Sequence, residues 1–300
     1  MQRSIHQLDV FTQQPLAGNP LAVVLDGDGL SAALMQKIAR EFNLSETVFV
    51  LAPRNPVNTA RIRIFTPTAE LPFAGHPTVG TAALIARLRA PEFAGARDLS
   101  VILEAEIGVI ACTVRLEKNG VDYAYFELPK LPEKVGGASS VALAHALGLE
   151  RGDIGFDNHT PTLYSAGATF CFCPVASRAA LEKAAPDADL LRSATLGARG
   201  AYLYTRETVD SGNAVQARMF GTTVGLYEDP ATGAAAAAFA GVAHEFEKPE
   251  DGEHTLVIEQ GYAMGRPSQI TLGVVIRDGA LMAATIGGHV VSFGSGKIEA

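Results

Sequence analysis

The sequence predicts an α/β protein built from two similar domains, and three observations lead to that prediction. The chain has 300 residues, which suggests two domains of ordinary size. A hydrophobic content of 48% is ample for two cores. A pattern of strand, loop and helix also occurs twice along the chain, which indicates an internal duplication.

The duplication is clearest in two segments, residues 73–84 and 226–237. At a constant offset of 153 residues, the matching positions are Pro77 with Pro230, Gly80 with Gly233, and Ala82-Ala83 with Ala235-Ala236. Upstream, at an offset of 155 residues, Arg63-Ile64-Phe65 matches Arg218-Met219-Phe220. These identities and the repeated order of elements favour duplication over chance.

Each of the two prolines predicts the start of a helix, because proline suits the first helical position. The residue before it is then the N-cap, His76 in the first copy and Asp229 in the second. Small apolar residues follow, so we expect two central, buried helices. Two such N-termini facing one cavity would bind a small anion, such as a carboxylate. The alternative is two ordinary capped helices in the core.

Alternation and turn residues predict the remaining elements. Strands are expected at residues 5–11, 21–25, 47–51, 61–65, 101–103, 107–116, 122–127, 162–174, 201–205, 255–258, 269–276 and 283–293. Helices are expected from Ser31 to Phe42, from Ser139 or Ser140 to Leu149, and from Ser177 to Lys183. Residues 128–134 read as a linker, and Gly287-Gly288 and Gly294–Gly296 as turns between strands.

Composition and missing motifs exclude several classes of protein. The net charge of −8 argues against a nucleic-acid surface and an anionic membrane surface. Three cysteines form neither a disulfide framework nor a CxxC pair, which fits a reducing cytoplasm. The chain contains no HExxH, GxGxxG after a strand, Walker A or GxSxG sequence. We therefore expect a cytoplasmic protein without metal, nucleotide or other cofactor.

Glu46 stands at a junction between a helix and an apolar strand. A carboxylate there could enter a pocket and have its pKa raised by desolvation. The alternative is a solvated glutamate at the mouth of a strand, since glutamate is rarely buried. The candidate site residues are therefore Glu46, His76 and Asp229.

These residues belong to a wider set of segments that resembles the PhzF family of phenazine-biosynthesis isomerases. The matching segments are Leu8–Thr12, Gly18–Pro20, Asn43–Thr47, Phe65–Pro67, Glu70–Pro77, Glu228–Gly233, Gln260-Gly261 and Met264–Ser268. The resemblance implies the diaminopimelate epimerase-like fold, in which each of two domains is a curled mixed sheet around a central helix. It places the domains at residues 1–128 and 129–285, with residues 286–300 returning to the first. It also implies a homodimer without a cofactor.

The resemblance also implies roles for individual residues. Glu46 would be the acid/base, while His76 and Asp229 would hold the substrate and assist proton movement. The substrate-binding positions would be Gly75, Gly233, Thr232, Ala234 and Asn19. The family default substrate is trans-2,3-dihydro-3-hydroxyanthranilate, a small cyclic carboxylic acid.

Two features of the chain depart from related sequences. Ala234 stands where the family often has a serine, so a hydroxyl that could bind substrate is missing. Related epimerases and proline racemases use two thiols, and the corresponding places here look like Ala74 and Pro230, which argues against a two-thiol racemase. The alternative function is a non-catalytic protein that binds small carboxylates with the same fold.

Overall fold

The computed structural model describes residues 2–222 and 227–300, so Leu226 of the second repeat lies outside the described residues. By its internal contacts the chain divides into unit 1, Met1–Glu127 with Gly287–Ala300, and unit 2, Leu128–Ile286. Both units combine strands and helices, and the predicted α/β class is confirmed.

Unit 1 contains eight complete strands and two α-helices among its described residues. The strands are β1 (Gln2–Val10), β2 (Asn19–Val24), β3 (Glu46–Leu51), β4 (Ala60–Phe65), β5 (Glu70–Leu71), β6 (Asp98–Ala105), β7 (Gly108–Arg115) and β8 (Val121–Glu127). The helices are α1 (Ala32–Phe42) and α2 (Gly75–Arg89), and a 3-10 turn spans Pro91–Phe93.

Unit 2 contains the remaining elements. Its strands are β9 (Glu133–Gly137), β10 (Thr162–Ser165), β11 (Thr169–Pro174), β12 (Gly200–Thr205), β13 (Val215–Gly221), β14 (Glu228–Asp229), β15 (Gly252–Gln260), β16 (Ser268–Arg277) and the first part of β17 (Ala280–Glu299). Its helices are α3 (Ser140–Leu147), α4 (Arg178–Lys183), α5 (Ala188–Ala194) and α6 (Gly233–Glu247). The second part of β17 pairs with β1 in unit 1.

The two units share one pattern of strand pairing. In unit 1, β1–β2 is antiparallel, β2–β3 parallel, β3–β4 antiparallel, β4–β6 parallel and β6–β7 antiparallel. In unit 2, β10–β11, β11–β12, β12–β13, β13–β15 and β15–β16 repeat that order. A buried helix packs on each sheet: α2 contacts six strands of unit 1, and α6 contacts four strands of unit 2. The prediction of two central, buried helices is confirmed.

A pair of identical hydrogen-bond networks fixes the register of the duplication. In each unit a glutamate accepts two backbone N–H groups and one asparagine side-chain amide, each at 2.8 Å. The members are Arg54, Asn55, Asn58 and Glu104 in unit 1, and Val209, Asp210, Asn213 and Glu259 in unit 2. Every corresponding pair lies 155 residues apart, which supports the offset predicted from the Arg63 and Arg218 strands.

The predicted helix caps are wrong in both repeats. Helix α2 begins at Gly75 with Ala74 as its N-cap, so His76 and Pro77 lie within its first turn. Helix α6 begins at Gly233 with Thr232 as its N-cap, so Asp229 precedes it and lies in β14. Proline is tolerated inside the first turn of α2 because the first four N–H groups of a helix lack intrahelical partners. The helix starts therefore correspond at an offset of 158 residues, and Pro77 does not correspond to Pro230.

Three smaller predictions also need correction. Residues 133 and 134, at the end of the predicted linker 128–134, belong to β9, and residues 162–174 form a hairpin rather than one strand. The predicted glycine turns both lie inside β17. A Cβ on Gly287 would lie 2.5 Å from Cβ of Tyr125, so close packing explains that glycine. Ser31 caps α1 as predicted, and of the two serines proposed for α3 it is Ser139 that caps it. Ser177, the predicted start of a helix, is the N-cap of α4.

Candidate active site

Unit 1 brings Glu46 and His76 together. Glu46 is the first residue of β3, and His76 is the second residue of α2. Nδ1 of His76 lies 3.5 Å from Oε2 of Glu46. The side chain of Glu46 is 17% exposed, whereas that of His76 is 4% exposed. The pair therefore presents a partly accessible carboxylate backed by a buried imidazole.

The His76 imidazole is neutral at physiological pH. Burial lowers the pKa of His76 from 6.5 to about 3, because a buried imidazolium loses its hydration. The contact with Glu46 is thus between a carboxylate and a neutral ring, not an ion pair. Among the described residues, the buried Nε2 of His76 has no hydrogen-bond partner. Buried polar atoms normally have partners, so Nε2 is available to a ligand.

Unit 2 holds Asp229 in a buried hydrogen-bond network. The Thr232 hydroxyl donates to Oδ2 of Asp229 at 2.6 Å. Nε2 of Gln260 donates to the Asp229 carbonyl oxygen at 2.7 Å and to Oγ1 of Thr232 at 3.1 Å. Oε1 of Gln260 accepts the Thr232 N–H at 3.1 Å. Gln260 is fully buried, so it fixes both the turn before α6 and the Thr232 hydroxyl.

Two further residues, Gln260 and Tyr202, lie near Asp229, and the sequence did not predict this. The hydroxyl of Tyr202 is buried and has no hydrogen-bond partner among the described residues. Burial, and next the negative charge of Asp229, raise the pKa of Tyr202, so its phenol stays protonated. The family-like segment Gln260-Gly261 could have indicated Gln260 from the sequence. Tyr202 lies in an apolar strand, and no sequence pattern indicated it.

The predicted substrate-binding positions fall at the starts of these elements. Gly75 and Gly233 are the first residues of α2 and α6, and Thr232 is the N-cap of α6. Ala234 is half-buried and occupies the position in α6 that His76 occupies in α2. Asn19 is fully buried at the start of β2. The expectation that His76 and Asp229 face one cleft stays a prediction.

The three cysteines are buried, and their thiols have low reactivity. Burial raises the pKa of Cys112 and of Cys171 to about 12 and that of Cys173 well above its usual value. Since the thiolate is the nucleophile, these thiols are poor proton carriers near neutral pH. The N-cap positions of the two central helices hold Ala74 and Thr232, so Thr232 replaces Pro230 as the counterpart of Ala74. Among the described residues, no cluster of His, Cys, Asp and Glu could hold a metal ion.

Comparison with known proteins assigns this chain to a class. The family model for phenazine biosynthesis-like proteins, PhzC-PhzF, matches residues 8–296. An uncharacterized isomerase of Mesorhizobium japonicum is 48% identical over 97% of this chain and 96% of its own length. The trans-2,3-dihydro-3-hydroxyanthranilate isomerase of Pseudomonas chlororaphis is 36% identical over 97% of both chains.

Solved structures give the same result. The crystal structure of a PhzF-family phenazine biosynthesis protein from Bacillus anthracis has a TM-score of 0.88, with 27% identity over 100% of both chains. A hydroxyproline epimerase from Agrobacterium vitis has a TM-score of 0.63 at 11% identity, covering 99% of this chain and 91% of its own, and shares the fold alone. The class is thus a PhzF-type isomerase. The chain belongs to the phenazine biosynthesis-like, or PhzF, family.

No helix within residues 2–222 and 227–300 combines the length and apolar character needed to span a membrane.

Proposed function

We propose that this chain is a cofactor-independent isomerase that moves a proton within a small cyclic or unsaturated carboxylic acid. Glu46 is the acid/base. The family default substrate is trans-2,3-dihydro-3-hydroxyanthranilate, on which relatives at 36% and 32% identity are named to act. The 3.5 Å contact between Glu46 and His76 is the observation that carries the proposal.

Glu46 has the exposure that a proton carrier needs. Its side chain is 17% exposed, so a substrate can reach it while much of its surface is withdrawn from water. The adjacent His76 is neutral and adds no positive charge to stabilise the carboxylate. A positioned acid/base of this kind contributes about 10²–10⁴-fold to the rate.

The proton transfer balances without any external reactant. The Glu46 carboxylate takes a proton from an activated carbon, and the electron pair left behind is delocalised into the unsaturated acid. The protonated Glu46 side chain then returns the proton to a second carbon on the same face of the substrate. His76 and Asp229 hold the substrate, with Nε2 of His76 available to one of its polar groups.

The Asp229 network supports this role because it positions a carboxylate in advance. Thr232 and Gln260 fix both the main chain and one carboxylate oxygen of Asp229, so little reorganisation is needed on binding. We propose Gly75, Gly233, Thr232, Ala234 and Asn19 as the surrounding substrate-binding positions. Ala234 supplies no hydroxyl, which distinguishes this site from the usual family pattern.

We further infer that the protein is a cytoplasmic homodimer that binds neither nucleic acid nor membranes, and that its two units are the two domains expected from the sequence. The net charge of −8 supports the absence of a nucleic-acid partner. Light scattering on the purified protein tests the dimer, and elemental analysis with an absorbance spectrum tests the absence of a cofactor.

The deciding experiment is an isomerase assay on trans-2,3-dihydro-3-hydroxyanthranilate and on a panel of small unsaturated carboxylic acids. Turnover by the wild type and its loss in Glu46→Gln would support the proposal. Turnover that is unchanged in Glu46→Gln would remove Glu46 from the mechanism.

A further inference from the structure

Unit 1 contains a cavity of about 560 Å³ beside β4, and residues 61–64 of that strand all line it. Its volume is within the range of small-molecule sites. The polar lining residues are Asp28, Arg54, Arg61, Arg63, Glu70, Glu104 and Glu106. The cavity includes Leu51, the last residue of β3, whereas Glu46 is the first. Neither Glu46 nor His76 lines the cavity, so it is separate from that pair. In the pairing of β3 with β4, Arg61 stands opposite Leu51 and Arg63 opposite Phe49, five and three residues along β3 from Glu46.

Arg63 is held rigidly in the wall of the cavity. Its Nε and Nη2 atoms each donate to Glu70 at 2.6 Å, which is a bidentate pair. Among the described residues, Nη1 of Arg63 donates no hydrogen bond. Glu70 therefore aims the guanidinium and leaves one of its nitrogens free for another acceptor.

In unit 2 the equivalent guanidinium nitrogen does have hydrogen-bond acceptors. Arg218, the counterpart of Arg63, is held by Glu228 in the same way, at 2.9 and 3.0 Å. Its Nη1 donates to three carbonyl oxygens at the end of α4, those of Leu181, Glu182 and Ala184, at 2.9, 3.1 and 3.0 Å. The side chain of Arg218 is 12% exposed and that of Arg63 is 26% exposed. In unit 2 the chain itself supplies oxygen acceptors for Nη1 of the arginine, whereas in unit 1 Arg63 lines the cavity and its Nη1 has no such acceptors among the described residues.

Arg61 adds a second unused guanidinium to the cavity. Its Nε is buried and has no hydrogen-bond partner among the described residues. Gln216, which lies 155 residues further along the chain, occupies the same position in unit 2 and carries no charge. The fold therefore does not require a charge at this position.

The carboxylates of the cavity are mostly engaged. Glu104 accepts two backbone N–H groups and the Asn58 amide, Asp28 accepts the Ala52 N–H, and Glu70 binds Arg63. Glu106 accepts no hydrogen bond among the described residues. The unused groups are thus chiefly donors, the guanidinium groups of Arg61 and Arg63.

We propose that this cavity binds a small oxyanion, whose carboxylate or phosphate oxygens accept hydrogen bonds from Arg61 and from Nη1 of Arg63. Guanidinium groups match such oxygens in geometry and charge. The site is distinct from the proposed isomerase site and does not rest on the proposed function.

The test is calorimetric titration of the full chain with inorganic phosphate and, separately, with succinate, at constant ionic strength set with chloride. We expect one saturable site per chain for at least one probe; phosphate binding alone would indicate a phosphate ligand, and succinate binding alone a carboxylate. Arg61→Gln installs the residue found in unit 2, and it should weaken binding at least 10-fold. Arg115→Gln is the matched control, because Arg115 is exposed and paired with Asp98 outside the cavity, and it should bind like the wild type.

Two further variants locate the binding site. Glu106→Gln should strengthen binding, since it removes a negative charge near Arg63. His76→Gln removes the imidazole that we propose holds the isomerase substrate, and it should leave binding of the probe unchanged. If Arg61→Gln fails to fold, Arg61→Lys keeps the charge but loses the planar fork, and it should also weaken binding. The proposal is overturned if neither probe saturates, if the Arg61 variants bind like the wild type, or if binding is lost in His76→Gln.

Discussion

Nδ1 of His76, in the first turn of α2, lies 3.5 Å from Oε2 of Glu46 at the start of β3. The imidazole is buried and neutral, while the carboxylate retains access to solvent. Two residues thirty positions apart in the chain thus form the pair on which the proposed proton transfer depends.

The buried imidazole predicts a dependence of stability on pH. Burial holds the pKa of His76 at about 3, below its ordinary value of 6.5, so the unfolded chain takes up a proton at higher pH than the folded chain. The free energy of unfolding should therefore fall as the pH drops from about 6.5 towards 3. Above that window His76 is neutral in both states and contributes no slope.

Denaturant unfolding across this pH range, on the wild type and on His76→Gln, measures the contribution. Glutamine does not titrate in this range, so the free energy of unfolding of the variant should fall less steeply with falling pH than that of the wild type. The difference between the two slopes corresponds to the uptake of at most one proton on unfolding. The other histidines remain in both proteins and cancel in the comparison. Equal slopes in the two proteins would contradict the assignment of a depressed pKa to His76.

Gln260 is expected to be a positioning residue for Asp229 and Thr232. Gln260→Leu leaves the Thr232 N–H and the Asp229 carbonyl without their present partner, which should cost about 1–3 kcal/mol of stability. Because the Thr232 hydroxyl and the turn also lose their support, kcat/KM should fall by about 10-fold or more. Chemical denaturation and steady-state kinetics measure both effects.

The control for Gln260→Leu is Asn58→Leu. The Asn58 amide donates one hydrogen bond to Oε1 of Glu104 at 2.8 Å in unit 1, and neither residue belongs to the proposed isomerase site. It should lose some stability and keep full activity. If Gln260→Leu is destabilised but equally active, Gln260 is structural only.

Ala234→Ser restores the hydroxyl that the family often carries at this position. Ala234 is half-buried at the second position of α6, so one added oxygen should leave the fold intact. We expect a lower KM for trans-2,3-dihydro-3-hydroxyanthranilate, because the hydroxyl offers the substrate a hydrogen bond. Ala237→Ser, on a buried face of the same helix, is the control and should show no such gain. An unchanged or higher KM in Ala234→Ser would argue that this substrate does not contact position 234.

A single carboxylate that carries the proton predicts little isotope exchange. When the wild type converts its substrate in heavy water, Glu46 should return the abstracted proton before it exchanges, so the product should contain little solvent deuterium. Mass spectrometry of the product measures this. Complete incorporation would contradict direct return and indicate exchange with solvent or a second base.

The fold was largely predictable because its signals are local. Ser31, Ser139 and Ser177 cap helices through hydrogen bonds to residues three positions on, and the sequence shows that spacing directly. The start of α2 was not predictable in the same way. Pro77 is compatible with the first position and with the third, because neither position needs its N–H.

The sequence suggested Glu46, His76 and Asp229 as candidate residues, but it did not predict their contacts. The approach of Glu46 to His76 depends on how α2 packs against β3, which no local pattern encodes. Gln260 reaches Asp229 across thirty-one residues, through the pairing of β13 with both β14 and β15. Its hydrogen bonds to Asp229 and Thr232 are therefore seen only in the structure.

The most direct test of the central claim is the turnover of Glu46→Gln on a substrate that the wild type converts. The glutamine keeps nearly the same shape but cannot accept a proton from carbon. We expect kcat to fall by about 10²-fold or more, with ligand affinity close to that of the wild type. Glu41→Gln, an exposed neighbour in α1, controls for the loss of one negative charge and should keep full activity. Full activity in Glu46→Gln would contradict the assignment of Glu46 as the acid/base.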